Sequence, residues 1–365
     1  MKKILLSLAL ILPVQLWAQA NIEVINIENP AVEAYMLDEA YHKSDDPNMS
    51  IIYQFSESER FKSMQKRLDI PRGKDVTWKA TLSPERIKYF MITLSTKPNL
   101  TDSMTYFTKD GKETSYTLRN MYPNRTYYYS VVQVPNNTMD DMAEVASGTF
   151  RTTGQVRMMY IEGARNVRDM GGWMTQFGVP IKYGRMYRSA HLDKLTPAAV
   201  HEYFDNQRLR AELDLRGSFK KEPHLSESKI SPNVQFHRIV SDAYNLTSQS
   251  SVNAANVTWI IQRLREGKVI DWHCGVGCDR CGTVSFLIGG VLGMSEIDLG
   301  RDFEFSCFSG HKRPRNKEGF SRMFPYIKKQ GPAGDLAQCF YNYLVKAGVK
   351  KEDLDFLRAY MLDYR

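Results

Sequence analysis

Cysteine is absent from this chain before residue 274. All five cysteines lie in the last quarter of the sequence: Cys274, Cys278, Cys281, Cys307 and Cys339. This distribution excludes a disulfide framework in the N-terminal half. Three of the five lie within residues 274–281, and such crowding needs a chemical explanation rather than a structural one.

Long apolar runs are scarce as well. Residues 1–20, MKKILLSLALILPVQLWAQA, combine two lysines, an apolar stretch and a final Ala18-Gln19-Ala20. This pattern predicts a cleaved secretory signal peptide, and therefore export to the periplasm or the extracellular space. No later stretch has about 18 uninterrupted apolar residues, so we expect no membrane span.

The charge of the chain is moderately basic and scattered. The formal net charge is +8, and the basic residues form no extended cluster. A moderate positive excess suits a phosphorylated substrate, whereas scattered charge argues against a nucleic-acid partner. The sequence does not indicate an oligomeric state.

Short alternating segments separated by turns fill the N-terminal half, and they predict a small all-β sandwich over residues 21–154. The predicted strands cover residues 76–80, 89–94, 104–107, 115–118, 126–131 and 146–152. The segment LRNMYPNRTYYYSV resembles the corner motif of fibronectin type III-like domains. The resemblance implies that Tyr127 is the corner tyrosine and that Tyr129 and Val131 face inward.

Residues 155–365 read differently, because strands alternate with helices there and predict an α/β domain with a central sheet. Residues 209–216 and 269–272 read as buried strands. Residues 283–292, 317–330, 334–347 and 350–362 read as helices. Thr196-Pro197 and Ser295-x-x-Asp298 are helix-start signals.

The most informative stretch is KVIDWHCGVGCDRCGTVSFLIGGVLGM, residues 268–294. A buried strand runs into a glycine-containing loop that opens a helix, an arrangement that holds an anion with backbone N–H groups and the helix dipole. Cys274 and Arg280 are separated by five residues. A thiolate there would attack phosphorus while the guanidinium binds two phosphate oxygens. The predicted phosphate cradle is the backbone of residues 275–280, with Gly275 and Gly277 allowing its dihedral angles.

The loop HCGVGCDRCGT resembles the HCxxGxxR signature of cysteine-dependent tyrosine phosphatases. It is more similar to the HCxAGKDRTG loop of a bacterial tyrosine-phosphatase-like family. The segments ARNVRDMGGW, YGRMYRSAHLDKLT and LDLR resemble further blocks of that family. The resemblance implies a metal-free phosphatase without a cofactor, and a phosphate loop at the C-terminal end of a strand. It also implies supporting roles for His273, Asp214, Arg216, Arg168 and Asp169, with Asn166 beside them.

The resemblance assigns Cys274 as the nucleophile and Arg280 as the phosphate-binding residue. Asp279, inside the loop, is the favoured general acid, and Asp242 is the alternative. Val276, Cys278 and Cys281 depart from the family loop, where alanine, lysine and threonine stand. Without the lysine, an inositol-phosphate or phosphoinositide substrate is less favoured than a phosphorylated protein.

The departures also affect the thiolate. A cysteine S–H donates more weakly than the usual hydroxyl, so Thr283 is an alternative donor to the nucleophile. Cys278 or Cys281 could instead form a reversible disulfide with Cys274. Two rival functions stay open: a pseudophosphatase that binds phosphate without turnover, and an iron–sulfur site on the three clustered cysteines.

Overall fold

The computed structural model describes residues 22–36, 70–137, 141–217, 219–310 and 317–364. The predicted signal peptide at residues 1–20 lies outside these ranges. Among the described residues, no helix is long and apolar enough to cross a membrane. The strands are β1 (Glu23–Asn26), β2 (Lys74–Thr77), β3 (Ile87–Ser95), β4 (Met104–Phe107), β5 (Ser115–Leu118), β6 (Thr126–Pro135), β7 (Ala143–Thr153), β8 (Arg168–Asp169), β9 (Met186–Ser189), β10 (Leu209–Asp214), β11 (Gln235–Arg238) and β12 (Val269–His273).

The described helices lie mostly in the C-terminal half. They are α1 (Pro30–Met36), α2 (Pro197–Val200, continued by a π-helix at His201–Asn206), α3 (Ser250–Arg265), α4 (Asp279–Val291), α5 (Glu296–Glu304), α6 (Lys317–Ser321), α7 (Met323–Lys328), α8 (Leu336–Ala347) and α9 (Lys351–Met361). Two start signals act as the sequence predicts, because the Thr196 and Ser295 hydroxyls accept hydrogen bonds from the N–H groups of Ala199 and Asp298. The predicted helix at 317–330 is divided into α6 and α7.

The first seven strands form two sheets. The larger has the order β1-β7-β6-β3-β4 and the smaller pairs β2 with β5. Their shared core includes Phe90, Val131 and Phe150. Tyr127 is fully buried and stacks on Phe150, and its hydroxyl accepts a 2.8 Å hydrogen bond from the N–H of Tyr122. A tyrosine hydroxyl bound to backbone a few residues upstream is the contact that a tyrosine corner requires.

The second sheet has the order β11-β10-β12-β9-β8, and β8 alone is antiparallel to its neighbour. Helices flank this sheet and bury a second core around Trp272. Strand β12 lies in the middle of the sheet, and all five of its residues are buried. The C-terminal ends of β9, β10 and β12 therefore meet at one edge, where parallel sheets carry their sites.

Helix α4 begins four residues before the predicted start at 283, because Asp279 to Gly282 already continue from the loop in helical conformation. The helix is buried from Arg280 to Val291. At Gly290 a Cβ atom would lie 2.3 Å from the ring of Phe340, so glycine lets α8 pack directly on α4. The loop is thus attached to two rigid, buried elements.

Polar contacts join the two parts of the chain. The Asn120 side chain donates to the Glu202 carboxylate at 2.8 Å and to the Tyr160 carbonyl at 3.0 Å. Helix α1 lies early in the sequence, but its Val32 and Tyr35 pack into the core of the second sheet. The two cores therefore do not divide strictly at residue 154.

Candidate active site

The Cys274 side chain lies at the end of β12, buried within the loop that follows. Its sulfur accepts a hydrogen bond from the N–H of Gly277 at 3.2 Å, and also from the N–H groups of Val276 and Cys281. Gly277 has a φ of 71°, and a Cβ atom there would lie 2.5 Å from the backbone of Ser189 and Ala190. Only glycine fits this position.

Gly275 differs from Gly277, because it does not have a positive φ and a Cβ there would make ordinary contacts. The predicted need for glycine dihedral angles therefore applies to Gly277 and not to Gly275. The Gly275 backbone instead lies beside Arg280 and Glu222, whose atoms are 3.5 and 3.6 Å from the position of that Cβ.

The Cys274 thiol is strongly acidic. A hydrogen bond from the Cys281 thiol, and then the Arg280 charge and the loop N–H groups, lower the pKa of Cys274 to about 5, although burial opposes this. Burial and the same sulfur contact raise the pKa of Cys281, so Cys281 keeps its proton. That S–H can turn to Cys274 or to the carbonyls of Ser189 and Trp272, at 3.5 and 3.6 Å. Cys274 is therefore a thiolate at neutral pH.

Among the described residues, Thr283 does not donate a hydrogen bond to the Cys274 sulfur. Its hydroxyl donates to the Asp279 carbonyl at 3.2 Å and accepts from the N–H of Tyr244 at 2.8 Å. All five cysteines are free thiols. A reversible disulfide of Cys274 with Cys278 or Cys281 stays a prediction.

Arg280 is held by a carboxylate that the sequence analysis did not identify. The two terminal nitrogens of Arg280 donate to the two oxygens of Glu222, at 2.9 and 2.5 Å. Burial alone would raise the pKa of Glu222, but the bonds from Arg280 and from the N–H of Gly217 lower it to about 2. The exposed ring of Phe219 lies 5.2 Å from the guanidinium carbon.

Asp279, the first residue of α4, is half-buried, and its Oδ1 accepts a hydrogen bond from the Tyr244 hydroxyl. Asp242, the alternative acid, is exposed and accepts from the Gln249 side chain at 3.1 Å. Asp279 therefore has a hydrogen-bond partner, Tyr244, from a different segment of the chain.

His273 bonds to the neighbouring strand rather than to the loop. Its Nε2 lies 2.8 Å from the Glu212 carboxylate, and its Nδ1 lies 3.9 Å from Asp214. Burial disfavours the charged ring, but the Glu212 hydrogen bond and the nearby carboxylates raise the pKa of His273 to about 9. Among the described residues, no hydrogen bond joins the His273 ring to the loop.

The supporting residues Asp214 and Arg216 lie at the C-terminal end of β10. Arg216 pairs with Asp214 and Asp193, which makes a structural ion-pair group at the end of the strand. The group also lies beside the Cys274 loop, because the Leu215 carbonyl accepts from Arg280 at 3.4 Å and the Leu215 N–H donates to the His273 carbonyl at 2.9 Å.

Two buried arginines secure the outer side of the loop. Arg188 donates to the carbonyls of Gly277 and Cys278, at 2.9 and 3.2 Å, and pairs with Asp302. Arg168 binds the same Asp302 and the Asn166 side chain. The Asn166 amide in turn donates to the Val276 carbonyl at 3.2 Å.

Asp169 does not take part in this loop support. It pairs with Arg157 at 2.9 Å and accepts from the N–H groups of Gly171 and Gly184. These contacts lie at the junction with the N-terminal strands, since Arg157 also donates to the Met121 carbonyl. The predicted supporting role for Asp169 at the loop is thus replaced by a role at the junction.

The iron–sulfur alternative depends on how the loop cysteines are placed relative to other possible metal ligands. In the described ranges, no group of three or more histidine, cysteine or acidic side chains is arranged to hold a metal ion. The Cys274 sulfur accepts from the N–H of Gly277, and the Cys281 thiol donates to the carbonyls of Ser189 and Trp272.

A match to a known protein family includes the Cys274 loop. Residues 159–326 match the tyrosine phosphatase family. The matched region contains the second sheet, the Cys274 loop and α4. No curated protein matches the chain.

Two crystal structures of P. aeruginosa TpbA also match, one of them a cysteine-to-serine variant in complex with pTyr. Both are 15% identical to this chain and cover 48% of it. They are covered over 87% and 88% of their own length, with TM-scores of 0.25 and 0.23.

The residues that the sequence analysis missed are Glu222, Tyr244, Arg188 and Asp302. Arg188 lies in the segment YGRMYRSAHLDKLT, which resembles a family block, so the resemblance offered a signal for that residue. The other three come from separate segments with no distinctive spacing, and only the fold brings them to the loop.

Proposed function

We propose that this chain is a phosphatase that hydrolyses phosphate monoesters through a phosphocysteine intermediate. The observation that carries the proposal is Cys274, a buried sulfur with a pKa of about 5, surrounded by loop N–H groups and the Arg280 charge. The tyrosine phosphatase match over residues 159–326 supports the same activity.

In the proposed first step, the Cys274 thiolate attacks phosphorus, the S–P bond forms and the bond to the leaving oxygen breaks. Asp279 gives its proton to that oxygen. In the second step, the Asp279 carboxylate takes a proton from water, whose oxygen attacks phosphorus and releases the Cys274 thiolate. Arg280 and the N–H groups of residues 275–280 stabilise the charge on the phosphate oxygens in both steps.

The test is phosphate release from p-nitrophenyl phosphate by the mature protein, in EDTA and fresh reductant, beside a Cys274→Ser variant. We expect turnover by the wild type and none by the variant. Activity that survives the Cys274→Ser change would refute the phosphocysteine. Trapping the radiolabelled intermediate by acid quench would identify the S–P bond directly.

The substrate that we propose is a phosphorylated protein, with phosphotyrosine or phosphoserine/threonine. The exposed apolar side chains of Phe219 and Val240 are close to Arg280 and Gly217, where they would contact the side chain that carries the phosphate. An inositol phosphate or phosphoinositide is the alternative. Parallel assays with a phosphotyrosine peptide, a phosphoserine peptide and an inositol polyphosphate would separate these classes.

A phosphate-binding protein without turnover is the second candidate. The observation in its favour is Glu222, which engages both terminal nitrogens of Arg280, together with Cys281 at a position where the family has a hydroxyl. This candidate predicts vanadate binding without phosphate release in the p-nitrophenyl phosphate assay.

We further propose that residues 1–20 direct export and that the mature protein is periplasmic or extracellular. Cell fractionation and N-terminal sequencing of the mature chain test this. We also propose that residues 21–154 form a fibronectin type III-like domain and that residues 155–365 form the catalytic domain that follows it. The Tyr127–Tyr122 hydrogen bond supports that assignment.

A further inference from the structure

Tyr244 has a backbone conformation that an aromatic residue rarely adopts. Its φ is 61°, in the left-handed region, where a bulky side chain is strained. Such strain persists only when surrounding contacts hold it. The N–H of Tyr244 donates to the Thr283 hydroxyl at 2.8 Å, and the ring packs edge-on against Phe303 and Phe320.

These contacts bring the phenol to Asp279. The Tyr244 hydroxyl donates to Asp279 Oδ1, and the Thr283 hydroxyl that holds Tyr244 also donates to the Asp279 carbonyl. Tyr244, Asp279 and Thr283 are thus linked to one another by hydrogen bonds at the start of α4. Asp279 Oδ2 has no hydrogen-bond partner within the described ranges.

We propose that Tyr244 is a positioning residue that orients Asp279 for proton transfer to the leaving oxygen. This proposal rests on the proposed phosphatase activity. With Oδ1 fixed by the phenol, Oδ2 is the oxygen that carries the proton to the leaving group and later takes one from water. The phenol remains protonated throughout, since burial and then the nearby negative charges raise the pKa of Tyr244.

The alternative is that Tyr244 only holds its segment in place. Tyr343 provides a matched control, because its buried hydroxyl donates to the Leu246 carbonyl at 2.9 Å and accepts from Asn253. It therefore fixes the same segment without touching Asp279. A purely structural hydroxyl would behave alike at the two positions.

The experiment measures kcat/KM for aryl phosphates whose leaving groups range from weakly basic p-nitrophenolate to strongly basic phenolate. General acid catalysis contributes about 10²- to 10⁴-fold when the leaving group needs a proton. For Tyr244→Phe we expect a loss of about 10- to 100-fold with phenyl phosphate and about 3-fold or less with p-nitrophenyl phosphate. Tyr343→Phe should leave the ratio of the two substrates unchanged.

Two further variants complete the test. Thr283→Val, which removes the contact that holds the Tyr244 backbone, should shift the ratio in the same direction by a smaller amount. Adding Tyr244→Phe to Asp279→Asn should cause no further loss, since the two residues act through one proton. An equal loss on both substrates, or additive losses in the double variant, overturns the proposal. A wild type without activity overturns the phosphatase itself.

Discussion

The core of the N-terminal strands and the surroundings of the Cys274 loop are built from different residues. Phe90, Tyr127 and Phe150 fill the first core. Among the described residues, the ion pairs of that region are at least partly exposed, as in Arg86–Asp141. Around the loop, by contrast, Arg168 and Arg188 are fully buried and share Asp302.

The first core contributes mainly to stability, whereas the buried arginines around the loop contribute mainly to its geometry. Apolar burial contributes directly to stability, whereas a buried ion pair loses most of its attraction to the cost of removing both charges from water. The loop arginines are therefore poor stabilisers. Arg188 directly, and Arg168 through Asn166, fix carbonyl oxygens of the loop in space, and this directs the opposite N–H groups toward the Cys274 sulfur. The predictions that follow separate stability from positioning.

The largest effect is expected for Arg188→Met. The change leaves the buried Asp302 without one partner and frees the carbonyls of Gly277 and Cys278. Breaking a buried pair costs about 3–5 kcal/mol of unfolding free energy. A loop displaced by about 1 Å loses roughly 100-fold in kcat/KM. Urea unfolding and steady-state kinetics measure the two losses.

Phe150→Ala is the matched control in the other region. Deleting a buried phenylalanine side chain also costs about 3–5 kcal/mol. Because Phe150 belongs to the first core and not to the core around the Cys274 loop, kcat/KM per folded molecule should stay at the wild-type value. If both variants lose activity in the same proportion while folded, the contrast between the two regions is wrong.

An intermediate effect is expected for Glu222→Gln, which keeps the shape of the side chain and removes its charge. The Glu222 carboxylate binds the same two nitrogens that a phosphate would use. Glu222 and a phosphate dianion therefore compete for Arg280. We expect vanadate to bind roughly 10-fold more tightly, and kcat to fall because the guanidinium is held less firmly.

Titration calorimetry with vanadate and the separate values of kcat and KM test this prediction. Glu227→Gln is a suitable control, since Glu227 is an exposed partner of Lys229 on the following segment. Weaker vanadate binding in Glu222→Gln would show that the carboxylate only assists Arg280 and does not compete with phosphate.

The sequence predicted the parts of the site that are local in the chain. Strand β12, the loop and α4 are contiguous, so the positions of Cys274, Gly277 and Arg280 follow from one stretch of residues. The tyrosine phosphatase match includes this stretch. The hydrogen bond from the Tyr122 N–H to the Tyr127 hydroxyl is also local, since it spans five residues.

The rest depends on contacts between distant segments. Glu222 and Arg280 are 58 positions apart, and Arg188 and Asp302 are 114 apart. No periodicity relates such pairs, and an isolated glutamate or aspartate reads as a solvated charge. The left-handed conformation of Tyr244 is equally hidden, since an aromatic residue is a poor candidate for it.

The smallest effect concerns the Cys274 thiol. Cys281 is the leading cause of the low pKa of Cys274, so Cys281→Ala should raise that pKa from about 5 by roughly one unit, the worth of one hydrogen bond to a charged group. Because the thiolate is lost as pH falls through the pKa, the midpoint of Cys274 alkylation by iodoacetamide should move to higher pH. Cys281→Ser, with a stronger donor, should keep the wild-type midpoint or lower it. An unchanged midpoint in Cys281→Ala would mean that Arg280 and the loop N–H groups suffice. The low pKa would then come from the loop support that distinguishes this region from the N-terminal core.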